Sequence, residues 1–189
     1  MDERELISGI LAGDNGAFRL FIEQYQGLVS HIVFKALGNG SDREDVCQEV
    51  FIKVYRNLEN FQFKSKLSTW LARIAYNTAL NYLNKKRPEL YDDIAPEDVT
   101  IDDYRGEGFT PEEISGNGDS HRKLRAEIER LPVQYRTALT LYHLEGMSYN
   151  EIGEIMELPE GTVKSHLFRA RKILKQRITA KYTIEELCG

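Results

Sequence analysis

The sequence predicts an all-α protein in which an acidic, flexible linker joins two helical domains, the second of which ends in a C-terminal helix-turn-helix. Three observations predict this fold class. Apolar residues recur at helical spacing over most of residues 17–86 and 120–175, no stretch alternates as a strand would, and a run rich in acids, prolines and glycines separates the two parts. We therefore expect domains at 1–87 and 120–189 and a linker at 88–119.

The charge pattern agrees with this division. The formal net charge of the 189-residue chain is −5, but residues 1–87 carry +2, residues 88–119 carry −10 and residues 120–189 carry +3. Acidic residues are absent between Glu59 and Glu89, and again between Glu160 and Glu185, although basic residues are frequent there. Two acid-free basic stretches predict two separate contacts with a polyanion.

The first two predicted helices occupy residues 17–37 and about 42–60. Ser41 and Glu44 have the spacing of a capping box, in which each side chain satisfies a free backbone N–H group at a helix start. The second helix has a polar outward face with an isoleucine at its centre: Asp45, Gln48, Glu49, Ile52 and Arg56. This face suggests a protein-docking patch, although single exposed apolar residues also occur without any function.

A polar loop at 63–68 leads to a third helix at 69–86. One strip of this helix carries an aromatic ring, a cation and several amides, which are poor helix formers: Trp70, Arg73, Asn77, Asn81 and Asn84. Together with nearby lysines, the strip suits single-stranded DNA, because it could stack on bases and hydrogen-bond their edges. The loop could shape a pocket for an extruded base. Trp70 fits a core position as well.

The second domain begins with two short helices, the first near Ser120 and the next after Pro132, with Gly146 ending the latter. A helix-turn-helix follows. Ser148 and Glu151 form a second capping box that opens a helix ending near Met156, and a turn at 157–161 leads to a helix at 162–175. Thr162 should cap that last helix, and Gly153 should allow a close approach between helices.

The last helix has two faces of opposite character. Val163, Leu167, Ala170 and Leu174 fall on one side, which we expect to be buried. The other side combines cations with a hydroxyl and an aromatic ring: Lys164, Ser165, Phe168, Arg169 and Lys172. A helix of this composition can lie in the major groove, read base edges and bind phosphates.

Several function classes find no support in the sequence. The four histidines lack metal-ligand spacing, and no nucleophile triad or phosphate-loop motif is present. Cys47 and Cys188 lie far apart, which predicts reduced thiols with Cys47 partly buried. No apolar run approaches the ~18 residues of a bilayer span. We expect a cytoplasmic protein that is not an enzyme and has no cofactor, metal, membrane insertion or stable homo-oligomer.

Taken together, these parts resemble the ECF (extracytoplasmic-function) RNA polymerase sigma factors of bacteria over nearly the whole chain. Residues 45–55 (DVCQEVFIKVY) resemble the family's polymerase-docking helix. Residues 68–77 (STWLARIAYN) resemble the helix that opens and reads the −10 element. Residues 131–136 (LPVQYR), followed by 161–166 (GTVKSH), resemble the domain that reads the −35 element. Residues 178–189 extend beyond the family's usual end.

The resemblance implies an alternative sigma factor that binds core RNA polymerase and directs initiation at promoter DNA. It makes residues 1–87 sigma region 2 and residues 120–189 sigma region 4. Core binding would fall within 45–58, through Asp45, Gln48, Glu49 and Ile52. The −35 duplex would meet the helix-turn-helix at 149–168 and the rest of its second helix, through Tyr149, Lys164, Ser165, His166, Phe168, Arg169 and Lys172. The melted −10 strand would meet Phe63, Lys64, Ser65, Lys66, Leu67, Ser68, Trp70, Arg73, Asn77 and Asn81.

The resemblance also implies regulation by an anti-sigma factor, which is often membrane-anchored and would hold the chain at the inner membrane face. The alternative interpretation is a conventional helix-turn-helix regulator whose first domain senses a ligand or dimerises. Such a regulator should bind a duplex operator alone, whereas a sigma factor should need core polymerase for tight binding.

Overall fold

The computed structural model of the chain describes residues 2–38, 40–86 and 118–182. These residues contain no strand, which confirms the all-α fold class, and no helix among them is both long and apolar enough to cross a bilayer. The linker predicted at 88–119 lies almost entirely outside the described residues. Cys188 also lies outside them. Their helices are α1 (Glu3–Leu11), α2 (Asn15–Leu37), α3 (Arg43–Asn57), α4 (Leu67–Lys86), α5 (Gly118–Glu129), α6 (Val133–His143), α7 (Tyr149–Met156) and α8 (Glu160–Lys181), with a 3₁₀ turn at Leu58–Asn60.

Helices α1 to α4, here called the first unit, share a core in which α2 packs against α1, α3 and α4. Helix α1 is an addition to the sequence prediction. It buries Leu6, Ile7 and Ile10, and the Tyr25 hydroxyl donates a hydrogen bond of 3.1 Å to Glu3, which fixes α1 to α2. Burial and the nearby Glu3 carboxylate raise the pKa of Tyr25 well above its usual range, so the phenol keeps its proton and remains a donor.

The capping box predicted at Ser41 and Glu44 is wrong. Helix α3 begins at Arg43 with Asp42 as its N-cap residue, and the Asp42 side chain caps no backbone group. The Ser41 hydroxyl donates to the Asp42 carboxylate at 2.7 Å, and the same carboxylate accepts from Tyr82 and Lys86 of α4. The contact with α4 therefore replaces the local cap.

Helices α5 to α8, the second unit, differ from expectation at both ends of the last helix. Helix α8 begins at Glu160, two residues earlier than predicted, with Pro159 at the N-cap position, so Thr162 lies inside the helix and is not its cap. Helix α8 also continues to Lys181. Ile178 is buried, and the Lys181 ammonium lies 2.8 Å from the buried Glu127 carboxylate of α5. The last turn of α8, residues 178–181, is thus joined to α5 by the contact between Lys181 and Glu127.

The two units do not stand apart. Helix α2 packs against α6 and α4 packs against α7, so that the buried apolar residues of both units form one continuous core. The sequence pattern predicted two domains and gave no sign of this contact, because amphipathic periodicity shows which face of a helix is buried but not which helix covers it.

Candidate nucleic-acid interface

The helix-turn-helix of α7 and α8 is held by local contacts. The capping box at Ser148 and Glu151 is confirmed: the Ser148 N–H group donates to the Glu151 carboxylate at 2.8 Å, and the Glu151 N–H group donates to the Ser148 hydroxyl at 3.3 Å. Glu157 ends α7 with a left-handed φ of 57°. A Cβ atom added to Gly153 would lie 2.7 Å from the Leu158 carbonyl oxygen. The close approach predicted for Gly153 is therefore to the backbone of the turn.

The two faces of α8 follow the predicted pattern. Val163, Leu167, Ala170 and Leu174 are buried. On the other side, Lys164 and Lys172 are exposed, whereas Ser165, Phe168 and Arg169 are half-buried. The Ser165 hydroxyl donates to the Gly161 carbonyl at 2.9 Å, and the Lys164 ammonium lies 2.7 Å from the Glu160 carboxylate. The helix thus presents a cationic surface with a partly buried aromatic ring at its centre.

His166 is turned partly inward. Its ring lies edge-on to Tyr135 of α6, with 5.1 Å between ring centroids, and its Nδ1 atom is buried without a hydrogen-bond partner among the described residues. Burial, aided by the nearby Arg169 cation, lowers the pKa of His166 below its usual value. The imidazole is therefore neutral at pH 7 and adds no charge to the face of α8.

Tyr149 belongs to a stack that the sequence pattern did not reveal. Its ring lies parallel to that of Tyr142 at 5.2 Å, with Lys164 over Tyr149 at 5.4 Å and Arg171 over Tyr142 at 5.7 Å. Arg171 lies two turns after Lys164 on α8, so the helical wheel could have found it. Tyr142 lies on α6, so only the packing of α6 against α7 brings it to this surface.

In the first unit, aromatic rings gather beside the predicted −10 loop. Phe63 lies 4.7 Å from Phe61, and Phe61 lies 5.2 Å from Trp70. Phe63 is exposed and has a φ of 55°, a conformation that side-chain-bearing residues rarely adopt and that is often found at binding sites. The Arg4 guanidinium lies over the Phe63 ring at 4.9 Å. Arg4 was missed because α1 was not predicted.

The loop itself is shorter than predicted and ends at Lys66. Ser68 lies in the first turn of α4, and Leu67 is 0% exposed. Leu67 therefore serves the core and cannot touch a DNA strand, which corrects its place among the predicted contacts. Lys64 and Lys66 are exposed and Ser65 is half-buried. The Lys66 ammonium lies 2.8 Å from the Glu151 carboxylate of α7.

The amide strip of α4 lies at the surface. Arg73, Asn81 and Asn84 are exposed, and Asn77 is half-buried, as is Trp70. On the inner side, Leu71, Ala75 and Thr78 are buried as predicted, whereas Tyr82 is only half-buried. Trp70 packs on the core from a half-buried position, so its structure is compatible with both roles that the sequence left open.

The outward face of α3 is the third surface. Asp45, Gln48 and Glu49 are exposed, Ile52 is 50% exposed, and Val46, Val50 and Val54 are buried beneath them. Tyr55 is also 51% exposed and packs edge-on against Phe18 of α2 at 5.0 Å. Two large apolar side chains one turn apart strengthen the case for a protein-docking patch. Tyr55 was not among the residues that the sequence predicted for this patch.

Comparisons with known proteins found matches along almost the whole chain. The family model Sigma-70 region 2 matches residues 21–89, and Sigma-70, region 4 matches residues 121–174. The ECF RNA polymerase sigma-E factor of Haemophilus influenzae is 38% identical over 182 residues, covering 94% of this chain and 96% of that protein. The ECF RNA polymerase sigma factor SigW of Bacillus subtilis is 32% identical over 179 residues, covering 93% of this chain and 96% of that protein.

Among solved structures, the complex of the sigma factor RpoE with the anti-sigma factor NepR from Bartonella quintana superposes with a TM-score of 0.65. The sequences are 22% identical, and the match covers 87% of this chain and 98% of that sigma factor. This likeness supports the fold alone, whereas the sequence relatives, which match along almost their entire length, define the family. The chain belongs to the ECF RNA polymerase sigma factors.

Proposed function

We propose that the chain is an alternative sigma factor that joins core RNA polymerase and directs promoter-specific initiation by reading duplex −35 DNA and melted −10 DNA. One observation carries this proposal: a single chain has two DNA-suited surfaces of different chemistry. The cationic face of α8 suits a major groove, and the ring cluster around Phe63 suits unpaired bases. Residues 1–87 then act as region 2, residues 120–189 as region 4 and residues 88–119 as the tether.

The second unit reads the −35 duplex. Lys164, Arg169 and Lys172 bind phosphates or base edges, Ser165 and Phe168 lie between them, and Tyr149 lies near a phosphate. We add Tyr142 and Arg171, because the ring stack joins them to Tyr149 and Lys164. His166 takes part as a neutral side chain that packs α8 against Tyr135.

The first unit holds the melted −10 strand. Phe63 and Trp70 provide rings on which bases stack, since Phe63 is exposed and both rings pack on Phe61. Cations and polar groups around them bind the strand's phosphates and base edges: Arg4, Lys64, Ser65, Lys66, Ser68, Arg73, Asn77 and Asn81. Leu67 supports this surface from the core.

The outward face of α3 docks the chain on the polymerase. Its acidic and amide side chains surround an apolar centre, the composition of a protein contact with a polar rim. Asp45, Gln48 and Glu49 form the rim, and Ile52 with Tyr55 forms the centre. The partner is the coiled coil of the largest polymerase subunit.

An anti-sigma factor controls the chain. The relative from Bartonella quintana was solved in complex with the anti-sigma factor NepR, and we extend this mode of control to the present protein. The chain works in the cytoplasm, where a membrane-anchored anti-sigma factor would hold it at the inner membrane face.

The experiment that tests this function measures binding to a labelled −35 duplex, with and without core polymerase. A sigma factor should bind tightly only with core, whereas equally tight binding by the chain alone would indicate a conventional regulator. Asp45→Asn with Glu49→Gln should weaken association with core, and Glu59→Gln, an exposed change outside α3, serves as the control. Undiminished association of the double variant would refute the docking face.

A further inference from the structure

Helix α1 is fixed to the first unit, and one of its side chains reaches the −10 loop. The helix packs against α2 and the 3₁₀ turn and buries three apolar side chains. Tyr25 of α2 donates a hydrogen bond to Glu3, and Glu5 accepts one of 3.1 Å from the Asp2 N–H group. Arg4 lies among these residues, and its side chain is exposed. The backbone at Arg4 is therefore held in place, whereas its long side chain can change conformation.

The Arg4 side chain covers an aromatic ring of the −10 loop. Its guanidinium carbon lies over the Phe63 ring, 4.9 Å from the ring centroid. Phe63 is still 43% exposed, and its φ of 55° places it in the left-handed region, which is costly for a phenylalanine. The Phe61 ring lies 4.7 Å away, with 55° between the ring planes. An exposed ring in a strained loop, with a cation over its face, is a stacking site that is already occupied.

This cover is weak compared with the ligand that suits the ring. A cation–π contact at an exposed site changes an equilibrium constant by about 2- to 5-fold. Stacking of a nucleic-acid base on an aromatic side chain contributes about 5- to 150-fold. A base that reaches Phe63 therefore displaces the guanidinium from the ring.

A single strand also offers the displaced guanidinium a new partner. Residues 60–88 contain no acidic residue, and Lys64 and Arg73 in this stretch are exposed, so the surface beside Phe63 attracts phosphates. The guanidinium of Arg4 has five N–H donors in a planar fork that matches phosphate oxygens. Charge-assisted hydrogen bonds to a phosphate replace the cation–π contact that is lost.

We propose that Arg4 and a base of the melted −10 strand exchange places on Phe63. In the free chain the guanidinium covers the ring, and in the promoter complex a base stacks on the ring while the guanidinium binds a phosphate of the same strand. The inference rests on the proposed function, because it requires a −10 strand that meets Phe63. It gives a role in strand binding to α1, which lies outside the residues 21–89 that the region 2 family model matches.

The cover is tested on the free chain by nuclear magnetic resonance with ¹⁵N-labelled arginine. The Nε–H resonance of Arg4, assigned through its loss in Arg4→Lys, should be shifted upfield by the ring current of Phe63. Phe63→Leu should remove this shift. The resonance of Arg19, an exposed arginine of α2, is the control and should not move. An Arg4 resonance that is the same with and without the Phe63 ring would overturn the proposal.

The exchange is tested by the salt dependence of strand binding. A fluorescent −10 single strand is titrated with the complex of the chain and core polymerase at about 0.05–0.5 M potassium chloride. Arg4→Ala should reduce the slope of log K against log salt by about 0.7, the value of one phosphate contact on a single strand. It also uncovers the ring, so binding extrapolated to 1 M salt should be about 2- to 5-fold tighter than in wild type. The two lines should therefore cross between about 0.1 and 0.4 M salt.

Two further variants separate the cover from the charge. Arg4→Met removes the charge but keeps a long side chain that packs on aromatic rings. It should reduce the slope as Arg4→Ala does, without tighter binding at high salt. Alanine and methionine are both strong helix formers, so α1 should remain folded in either variant. Arg19→Ala removes a cation of α2 whose printed partner is Glu23 and should reproduce the wild-type line.

The outcomes distinguish this inference from the proposed function. If Arg4→Ala bound the strand more weakly at every salt concentration, the base would stack elsewhere than under Arg4, and the exchange would be refuted. Equal tightening at high salt by Arg4→Ala and Arg4→Met would also refute it, because the methionine should still cover the ring. A wild-type complex that bound no −10 strand would refute the proposed function and the exchange together.

Discussion

Gly153 offers a sharp test of how the turn positions α8. In a Gly153→Ala variant the new Cβ atom would lie 2.7 Å from the Leu158 carbonyl oxygen and 3.9 Å from a Val163 methyl group. The first distance is too short for a Cβ contact, and the atom it meets is backbone, so the turn must move. Overpacking of this kind destabilises by about 1–3 kcal/mol, and the better helix propensity of alanine returns at most ~1 kcal/mol.

We therefore expect Gly153→Ala to lower the free energy of unfolding by about 1–2 kcal/mol in urea titrations. It should also weaken −35 duplex binding in the presence of core polymerase, because the displaced turn changes the direction of α8. Gly161→Ala is the matched control, since nothing lies within 4 Å of its added Cβ atom. A Gly153→Ala variant that is as stable as Gly161→Ala and binds the duplex equally well would refute this account of the turn.

Three further predictions concern separate parts of the molecule. Glu127→Gln should destabilise the chain by about 1–3 kcal/mol at pH 7. The hydrogen bond from Lys181 holds the pKa of the Glu127 carboxyl below its usual value. The difference in stability between wild type and variant should therefore persist above about pH 4.5, the pKa in the unfolded chain, and vanish as the pH falls through the lower folded value. Urea titrations at several pH values measure this difference, and a difference that does not change with pH would contradict the prediction. Arg171→Ala should weaken −35 binding similarly for all sequences and reduce the salt dependence by about one released ion, measured over several salt concentrations; an unchanged salt slope would remove Arg171 from the contact. Phe63→Ala should weaken binding of a −10 single strand by about 1–3 kcal/mol in the polymerase complex and leave −35 duplex binding intact; equal loss at both would mean that the variant is misfolded.

Helical periodicity predicted the surfaces of this protein well, because the buried face of an amphipathic helix determines which residues remain outside. The inner residues of α8 and the exposed Ile52 of α3 both follow from spacing alone. Helix α1 was overlooked, although Leu6, Ile7 and Ile10 have helical spacing and Glu5 accepts from the Asp2 N–H group at 3.1 Å. The helix is short and lies among charged residues, so its apolar pattern was not recognised in the sequence.

Tertiary contacts explain what the pattern missed. Ser41 and Glu44 match a capping box, but Tyr82 and Lys86 of α4 bind the Asp42 carboxylate and the local cap does not form. Leu67 looks like a loop residue until the core of the first unit buries it. Such outcomes depend on residues far along the chain, which local sequence rules cannot include.

The packing of the two units also lay beyond the sequence. Its key bond joins Arg136 to the carbonyl of Ala36, 100 residues earlier. A backbone carbonyl carries no sequence signal, and α7 would show the same amphipathic pattern whichever helix covered it. The stack of Tyr142 on Tyr149 could not be read from the sequence either, because it depends on the angle at which α6 and α7 pack. Interfaces of this kind are specified by shape, which a periodic pattern does not record.

In the proposed function, the surfaces on α8 and around Phe63 bind one promoter together while α3 is docked on the polymerase. The most direct test is run-off transcription from genomic fragments with purified chain and core polymerase. We expect transcripts that start at defined sites and disappear when either the −35 or the −10 segment of the fragment is replaced. Transcripts no different from those of core polymerase alone would contradict it.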